Sequence, residues 1–256
     1  MLPNATRLKL AEGRPVFGCF FRYPEASLAE YVAMLGWDFL AFDAEHSTLQ
    51  PRDVESLCRA VESRGVTPIV RVPVNQPDVI LRFLDVGAQG IHVPSVNSPE
   101  EVELAVRAVK YAPRGERGLA ATRVAEWALR EPLSTYVQNA NRETMVIVHV
   151  ETREAVEAIE DYVTVDGVDV LFLGPMDLSQ SLGHPGEPGH PDVVAAMERV
   201  AEVVTRSDKV LGIYAGTPSM TEAWLTRGAR YFTTGLEAFL RDGMTGHLQQ
   251  LRGSGQ

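Results

Sequence analysis

Short runs of Val, Ile, Leu and Phe recur along the chain, and each is followed by a longer stretch in which apolar residues return at helical spacing. That alternation is the signature of successive βα units. The runs have few interspersed polar residues, as expected of parallel strands covered on both faces. They predict strands over Val16–Phe21, Phe39–Phe42, Pro68–Arg71, Gly90–Val93, Met145–Val150, Val168–Leu173, Val210–Tyr214 and Arg230–Thr234. Eight such strands close a barrel. Between them, helices are predicted over Ala26–Met34, Arg52–Arg64 and Pro99–Tyr111, the last with Ser98 as its N-cap, and Gly36, Gly65 and Gly167 mark helix exits. The fold class is therefore α/β, a single (β/α)8 TIM barrel over residues 1–256. A doubly wound sheet is disfavoured because no G-x-G-x-x-G follows the first strand. No linker or internal repeat divides the chain. Residues Tyr111 to Glu143 exceed an ordinary crossover, carry Arg114, Arg117, Arg123 and Arg130, and read as an active-site loop followed by a helix.

Composition narrows the function classes. With 45% hydrophobic and 23% charged residues, the 256-residue chain has enough apolar surface for a full core, which excludes disorder as its main state. A formal charge of -10 opposes nucleic-acid phosphates and anionic lipid, so neither is an expected partner. No apolar run approaches the roughly 20 residues of a membrane span, and the first ten residues lack a signal-peptide core. Cys19 and Cys58 are too few to staple a chain of this size or to build a zinc site, which points to a reducing, cytoplasmic setting.

In a parallel barrel all strand C-termini open on one rim, so polar residues distant in sequence converge there. The second predicted strand runs into Asp43-Ala44-Glu45-His46, the third ends in Arg71, the fifth runs into Glu151, and the sixth into Gly174-Pro175-Met176-Asp177. A single carboxylate at such a position is more often a helix cap or a rim ion pair. Several together point to a site. Glu151 and Asp177 supply hard oxygens from neighbouring strands, suited to an octahedral divalent ion such as Mg²⁺, Mn²⁺ or Co²⁺. Such an ion would leave positions open for a chelating 2-oxo acid and act on its carbonyl as a Lewis acid. Arg71 offers a planar fork for a carboxylate or enolate oxygen, and equally an ion-pair partner for Asp43 or Glu45. His46, with Asp43 orienting its imidazole, is a candidate for proton transfer.

At these residues the sequence resembles the HpcH/HpaI aldolases, the metal-dependent class II pyruvate aldolases, from about Phe17 to about Glu237. The matching segments are Phe42-Asp43-Ala44-Glu45-His46, Val70-Arg71-Val72-Pro73, Phe83-Leu84-Asp85-Val86-Gly87-Ala88-Gln89-Gly90, Tyr111-Ala112-Pro113-Arg114-Gly115, Glu151-Thr152-Arg153-Glu154-Ala155 and Gly174-Pro175-Met176-Asp177-Leu178-Ser179. Their order and spacing are specific, although each is ordinary alone. The resemblance implies that Glu151 and Asp177 bind the metal, Arg71 contacts pyruvate or its enolate, and His46 with Asp43 assists proton transfer. It places Glu45 behind them, touching metal-bound water, and Gly174 and Pro175 along the pyruvate site. The implied reaction is reversible cleavage of a 4-hydroxy-2-oxo acid to pyruvate and an aldehyde. The resemblance further implies a homo-oligomer, a hexamer or trimer of dimers, with C-terminal helices exchanged between subunits.

Two positions depart from the family pattern. His149 stands where Gln is frequent, and Ser95 where Met is common. Strand alternation puts His149 on the same side as Glu151, as a donor to the metal carboxylate or substrate, and otherwise as an extra ligand or a second proton-transfer group. Lys9, Lys110 and Lys209 are the only lysines, and none falls at a predicted strand C-terminus, which disfavours a Schiff-base mechanism. His184 and His190, in a Gly- and Pro-rich stretch, and His247 near the C-terminus read as turn or surface residues. The open alternatives are a 2-oxo acid decarboxylase of the oxaloacetate type and a non-catalytic 2-oxo acid binder. A phosphosugar enzyme, suggested by Gly216 and Gly235 after the last two strands, lacks a basic group beside them. Aldehyde selectivity is expected to lie in the loops Arg114 to Trp127 and His184 to His190.

Overall fold

In the computed structural model, which describes residues 1–253, eight parallel strands pair in chain order and the last returns to the first. The strands are β1 (Val16–Phe21), β2 (Phe39–Asp43), β3 (Thr67–Arg71), β4 (Gly90–Val93), β5 (Met145–Val150), β6 (Val170–Leu173), β7 (Val210–Tyr214) and β8 (Tyr231–Gly235). The molecule is thus a single (β/α)8 TIM barrel. Four predicted strands keep their bounds, and the rest shift by one or two residues, the usual uncertainty at element ends. The helix at Pro99–Val109 stops before the predicted Tyr111 because Lys110 turns extended, its buried ammonium donating to the Asn141 and Thr144 carbonyls. Gly36 and Gly65 adopt positive φ at helix exits, as their sequence positions suggest, whereas Gly167, also at positive φ, lies in a turn past the end of the helix Ile159–Tyr162.

Side-chain alternation divides the core in two. One set of strand residues packs outward beneath the helices, as do Leu40, Val70, Val148 and Leu171. The other fills the barrel axis, including Phe20, Phe39, Ile69, Ile147, Phe172 and Tyr231. Gly18 makes room for this interior, since a Cβ there would lie 2.1 Å from the Phe39 ring. A helix absent from the sequence reading, Ala5–Ala11, brings Leu10 into the interior cluster at the bottom of the barrel. It is too short to display a helical period. Its position depends on tertiary contacts, with Asn4 capping it at Arg7 and also donating to the Gln89 and Glu143 carbonyls.

The long segment after Tyr111 does not cover the rim within its own chain. It forms a short 3-10 helix, Arg123–Ala128, and then the helix Leu133–Glu143. Arg123 donates to Glu62 and to the Val86 carbonyl at the C-terminal ends of two barrel helices, and Arg117 pairs with Asp85. Helices antiparallel to the strands end at the barrel bottom, so these ion pairs hold the segment at the end opposite the rim. The expectation of an active-site loop here is corrected for the single chain.

Candidate active site

Asp43 and Arg71 are the last residues of β2 and β3 and stand directly opposite each other in the sheet register. Arg71 donates from Nε to Asp43 Oδ1 at 2.9 Å and from Nη2 to Oδ2 at 2.7 Å, a bidentate fork. Asp43 also accepts from Arg22 Nε at 2.7 Å and from the backbone N–H groups of Glu45 and His46. Burial pushes the Asp43 carboxyl up, but these donors outweigh it and hold it at about 2. The Arg71 guanidinium lies over the Phe20 ring at 4.6 Å and reaches Glu45 Oε2 from Nη1 at 3.2 Å. With one N–H given to each of these three contacts, two of its five have no partner among the described residues, one on each terminal nitrogen.

The anticipated Asp43–His46 dyad is not formed through the imidazole. Both Asp43 oxygens are taken by arginines and backbone donors, and only the His46 backbone reaches them. The half-exposed His46 ring instead approaches Glu45, with Nε2 3.7 Å from Oε2. Burial and the neighbouring Glu151 charge raise the Glu45 carboxyl, against the pull of Arg71. Glu45 thus lies between the arginine and the histidine, and Asp43 orients Arg71.

Glu151 follows β5 and is almost fully buried. Its Oε1 accepts from the Ser95 backbone N–H at 2.8 Å and its Oε2 from His149 Nδ1 at 2.8 Å. Burial favours the neutral acid, but His149, the Ser95 N–H and the Arg71 charge win and lower its pKa. Ser95 presents its N–H from a left-handed conformation, φ 53°, unusual for a residue with a side chain. Gly174 after β6 is required by the same carboxylate, since a Cβ there would stand 2.6 Å from Oε2. Asp177 is exposed in the first turn of Pro175–Ser181, where Pro175 is buried, and among the described residues its carboxylate has no hydrogen-bond or ion-pair partner.

This donor set fits a hard divalent cation. Glu151 is anionic and each oxygen retains a lone pair beyond its one accepted bond, while Asp177 is uncommitted. Asp43 is too fully engaged to serve. His149 is also engaged on both nitrogens, Nδ1 with Glu151 and Nε2 with His92 Nδ1 at 2.9 Å, which leaves it no lone pair to coordinate with. Its place is behind Glu151.

The remaining candidates lie away from this constellation. His184 and His190 stack on each other, His184 contacts Asp192, and His190 caps the helix Pro191–Thr205. Lys9 pairs with Asp38, and Lys110 and Lys209 line a wide cleft at the barrel bottom with Arg7, Asp169 and Arg230. No amine therefore reaches the rim carboxylates. Three residues escaped the sequence reading: Arg22, one residue past β1, and the interior pair His92 and Tyr231. His92 had a signal, an imidazole in an apolar strand at the alternation phase that faces the axis. Tyr231 had none, because aromatics are ordinary in strands.

The family model for HpcH/HpaI aldolase/citrate lyase matches residues 16–241. A pyruvate aldolase of Rhizobium etli is 41% identical over 224 residues, covering 88% of this chain and 86% of that protein. A 4-hydroxy-2-oxo-heptane-1,7-dioate aldolase of Klebsiella pneumoniae is 36% identical, covering 93% of this chain and 89% of that protein. Among solved structures, a HpcH/HpaI aldolase/citrate lyase family protein from Burkholderia cenocepacia superimposes with a TM-score of 0.92 at 34% identity, over 97% of this chain and 99% of that one.

Proposed function

The chain belongs to the HpcH/HpaI aldolase family, and from that membership we propose that its rim constellation carries out reversible aldol cleavage of a 4-hydroxy-2-oxo acid to pyruvate and an aldehyde. The protein is an aldolase lyase that depends on a divalent metal, and Mg²⁺, Mn²⁺ and Co²⁺ all suit its oxygen donors. The supporting observation is the pairing on one rim of a buried, charged Glu151 with an Arg71 that is clamped yet keeps two N–H groups free.

Glu151 and Asp177 would hold the cation, which when bound polarises the 2-oxo oxygen of the substrate. Arg71 binds a substrate oxygen with its free N–H groups, and Asp43 fixes the fork that does so. Gly174 and Pro175 form the wall beside Glu151 against which a small 2-oxo acid lies. Cleavage breaks the C3–C4 bond as the C4 hydroxyl loses its proton, releasing the aldehyde and leaving an enolate. C3 then gains a proton to become the methyl of pyruvate. His46, exposed at the rim beside Glu45, is assigned the proton traffic.

Phe239, Leu240, Met244, Leu248 and Leu251 are exposed along the C-terminal helix Leu236–Gly253, an apolar face that supports packing between copies of this chain, as a hexamer or trimer of dimers with that helix exchanged. No helix among the described residues is long and apolar enough to cross a membrane. The buried free thiols Cys19 and Cys58 support a cytoplasmic setting.

The test is proton NMR of pyruvate in deuterated buffer, with Mg²⁺ or Mn²⁺, with chelator, and with a Glu151→Ala, Asp177→Ala variant. Metal-dependent loss of the methyl signal that disappears in the variant is expected. Absence of exchange in the metal-loaded wild-type protein would overturn the assignment. Product analysis with a 4-hydroxy-2-oxo acid then separates aldol cleavage, which releases an aldehyde, from decarboxylation, which does not.

A further inference from the structure

Beneath Glu151 a line of buried polar groups descends the barrel axis. Glu151 Oε2 meets His149 Nδ1 at 2.8 Å, His149 Nε2 meets His92 Nδ1 at 2.9 Å, and His92 Nε2 meets the Tyr231 hydroxyl at 2.7 Å. The three members beneath Glu151 are essentially inaccessible to solvent. Phe172 packs against both imidazoles and the Tyr231 ring, Phe20 against His92, and Phe39 stacks on Tyr231 at 4.5 Å. Polar side chains in the middle of an apolar barrel are costly unless every one is satisfied.

With the three groups beneath Glu151 all neutral, the chain has one consistent arrangement of protons. A carboxylate only accepts, so His149 must carry its proton on Nδ1. In that arrangement His149 accepts at Nε2 and His92 donates from Nδ1. His92 in turn accepts at Nε2, so the Tyr231 hydroxyl donates. Burial keeps His92 neutral, its pKa well below the ordinary value, and keeps the Tyr231 hydroxyl protonated. Every hydrogen bond therefore points from the barrel interior toward the rim and ends on Glu151.

We propose that His92 and Tyr231 are positioning residues for Glu151, fixing through His149 the tautomer that holds the carboxylate in one orientation toward the cation. The proposal rests on Glu151 being a cation ligand, as assigned above. Without the donor at His92, His149 Nε2 loses the partner that keeps it an acceptor. The ring can then place its proton on Nε2 and turn a lone pair on Glu151. Groups that orient metal ligands typically change metal affinity about 10- to 100-fold when removed.

The experiment combines Mn²⁺ titration, read by the electron paramagnetic resonance of the free ion, with long-range ¹H–¹⁵N spectra of imidazole-labelled protein. In the wild-type protein both His92 and His149 are expected as neutral Nδ1–H tautomers. Finding either with its proton on Nε2 would overturn the chain's polarity and the proposal with it. His92→Leu is expected to weaken Mn²⁺ binding about tenfold and to mix the His149 tautomers. Tyr231→Phe, which removes one oxygen and preserves the packing, is expected to weaken it about fivefold, the worth of one neutral hydrogen bond. His149→Gln, whose amide still donates to Glu151, should bind within about twofold of wild type, while His149→Leu should lose binding about as His92→Leu does or more. Wild-type affinity in folded Tyr231→Phe and His92→Leu would refute the positioning role alone. A wild-type protein that binds no Mn²⁺ would instead refute the ligand assignment on which that role depends.

Discussion

Gly174 lies so close to Glu151 that a Cβ on residue 174 would stand 2.6 Å from the carboxylate Oε2 and 3.1 Å from Glu151 Cβ. The carboxylate cannot simply swing away, because Ser95 and His149 hold its two oxygens. Gly174→Ala is therefore expected to displace Glu151 and weaken Mn²⁺ binding about tenfold or more while the barrel remains folded. Titration calorimetry alongside thermal unfolding checks this. Unchanged affinity would show that the wall beside the carboxylate is softer than its contacts indicate.

Asp177 makes the opposite case. It is exposed and, among the described residues, its side chain has no partner, so Asp177→Ala should leave stability within about 0.5 kcal/mol of wild type. As one of two carboxylate ligands, its loss should still weaken metal binding by tenfold or more. A drop in stability with intact metal binding would make Asp177 a helix-terminus residue and nothing more.

Asp43 carries a pH signature. Its folded carboxyl is held at about 2 against an ordinary 3.8, so its stabilising contribution is fully present above about pH 4 and fades as the pH falls through about 2. The pH-dependent part of the stability gap between wild type and Asp43→Asn should be about 2 kcal/mol and should close over that interval. Denaturant unfolding of both proteins at pH 7, 4 and 2.5 measures it. A gap that stays constant down to pH 2.5 contradicts the ion-pair assignment.

Arg71→Lys keeps the charge and loses the fork. A lysine ammonium cannot span both Asp43 oxygens and still present two N–H groups to a substrate. Aldol cleavage is expected to fall about a hundredfold in kcat/KM, the loss of two charge-assisted hydrogen bonds. The KM for the 2-oxo acid should rise, whereas metal affinity should change little. Near-normal kinetics would mean that charge alone suffices at this position.

Much of this molecule was legible along the chain. Eight apolar runs separated by amphipathic stretches predict the barrel because a parallel sheet covered on both faces demands such runs, and strand direction alone carries Asp43, Arg71, Glu151 and Gly174 to one rim. The motif resemblance singled out the same residues. Adjacency in sequence was less reliable for pairing. Asp43 and His46 are three residues apart, yet the carboxylate turns to Arg71 across the strand register and leaves the imidazole to Glu45. A bidentate arginine fork outcompetes a weaker neighbour for the same two oxygens.

The tertiary structure alone decided which groups lie behind the rim. Ser95 gains its place beside Glu151 from a left-handed backbone conformation that no residue type announces, and Arg123 leaves the rim because Glu62 and the Val86 carbonyl lie at the other end. His92 and His149 meet through the register of the paired strands β4 and β5, and Tyr231 of β8 reaches His92 only because the barrel closes on itself. Periodicity reports which face of a strand a residue occupies, a local property of the backbone. Which side chains touch across the axis depends on the stagger and closure of all eight strands, which no local pattern encodes.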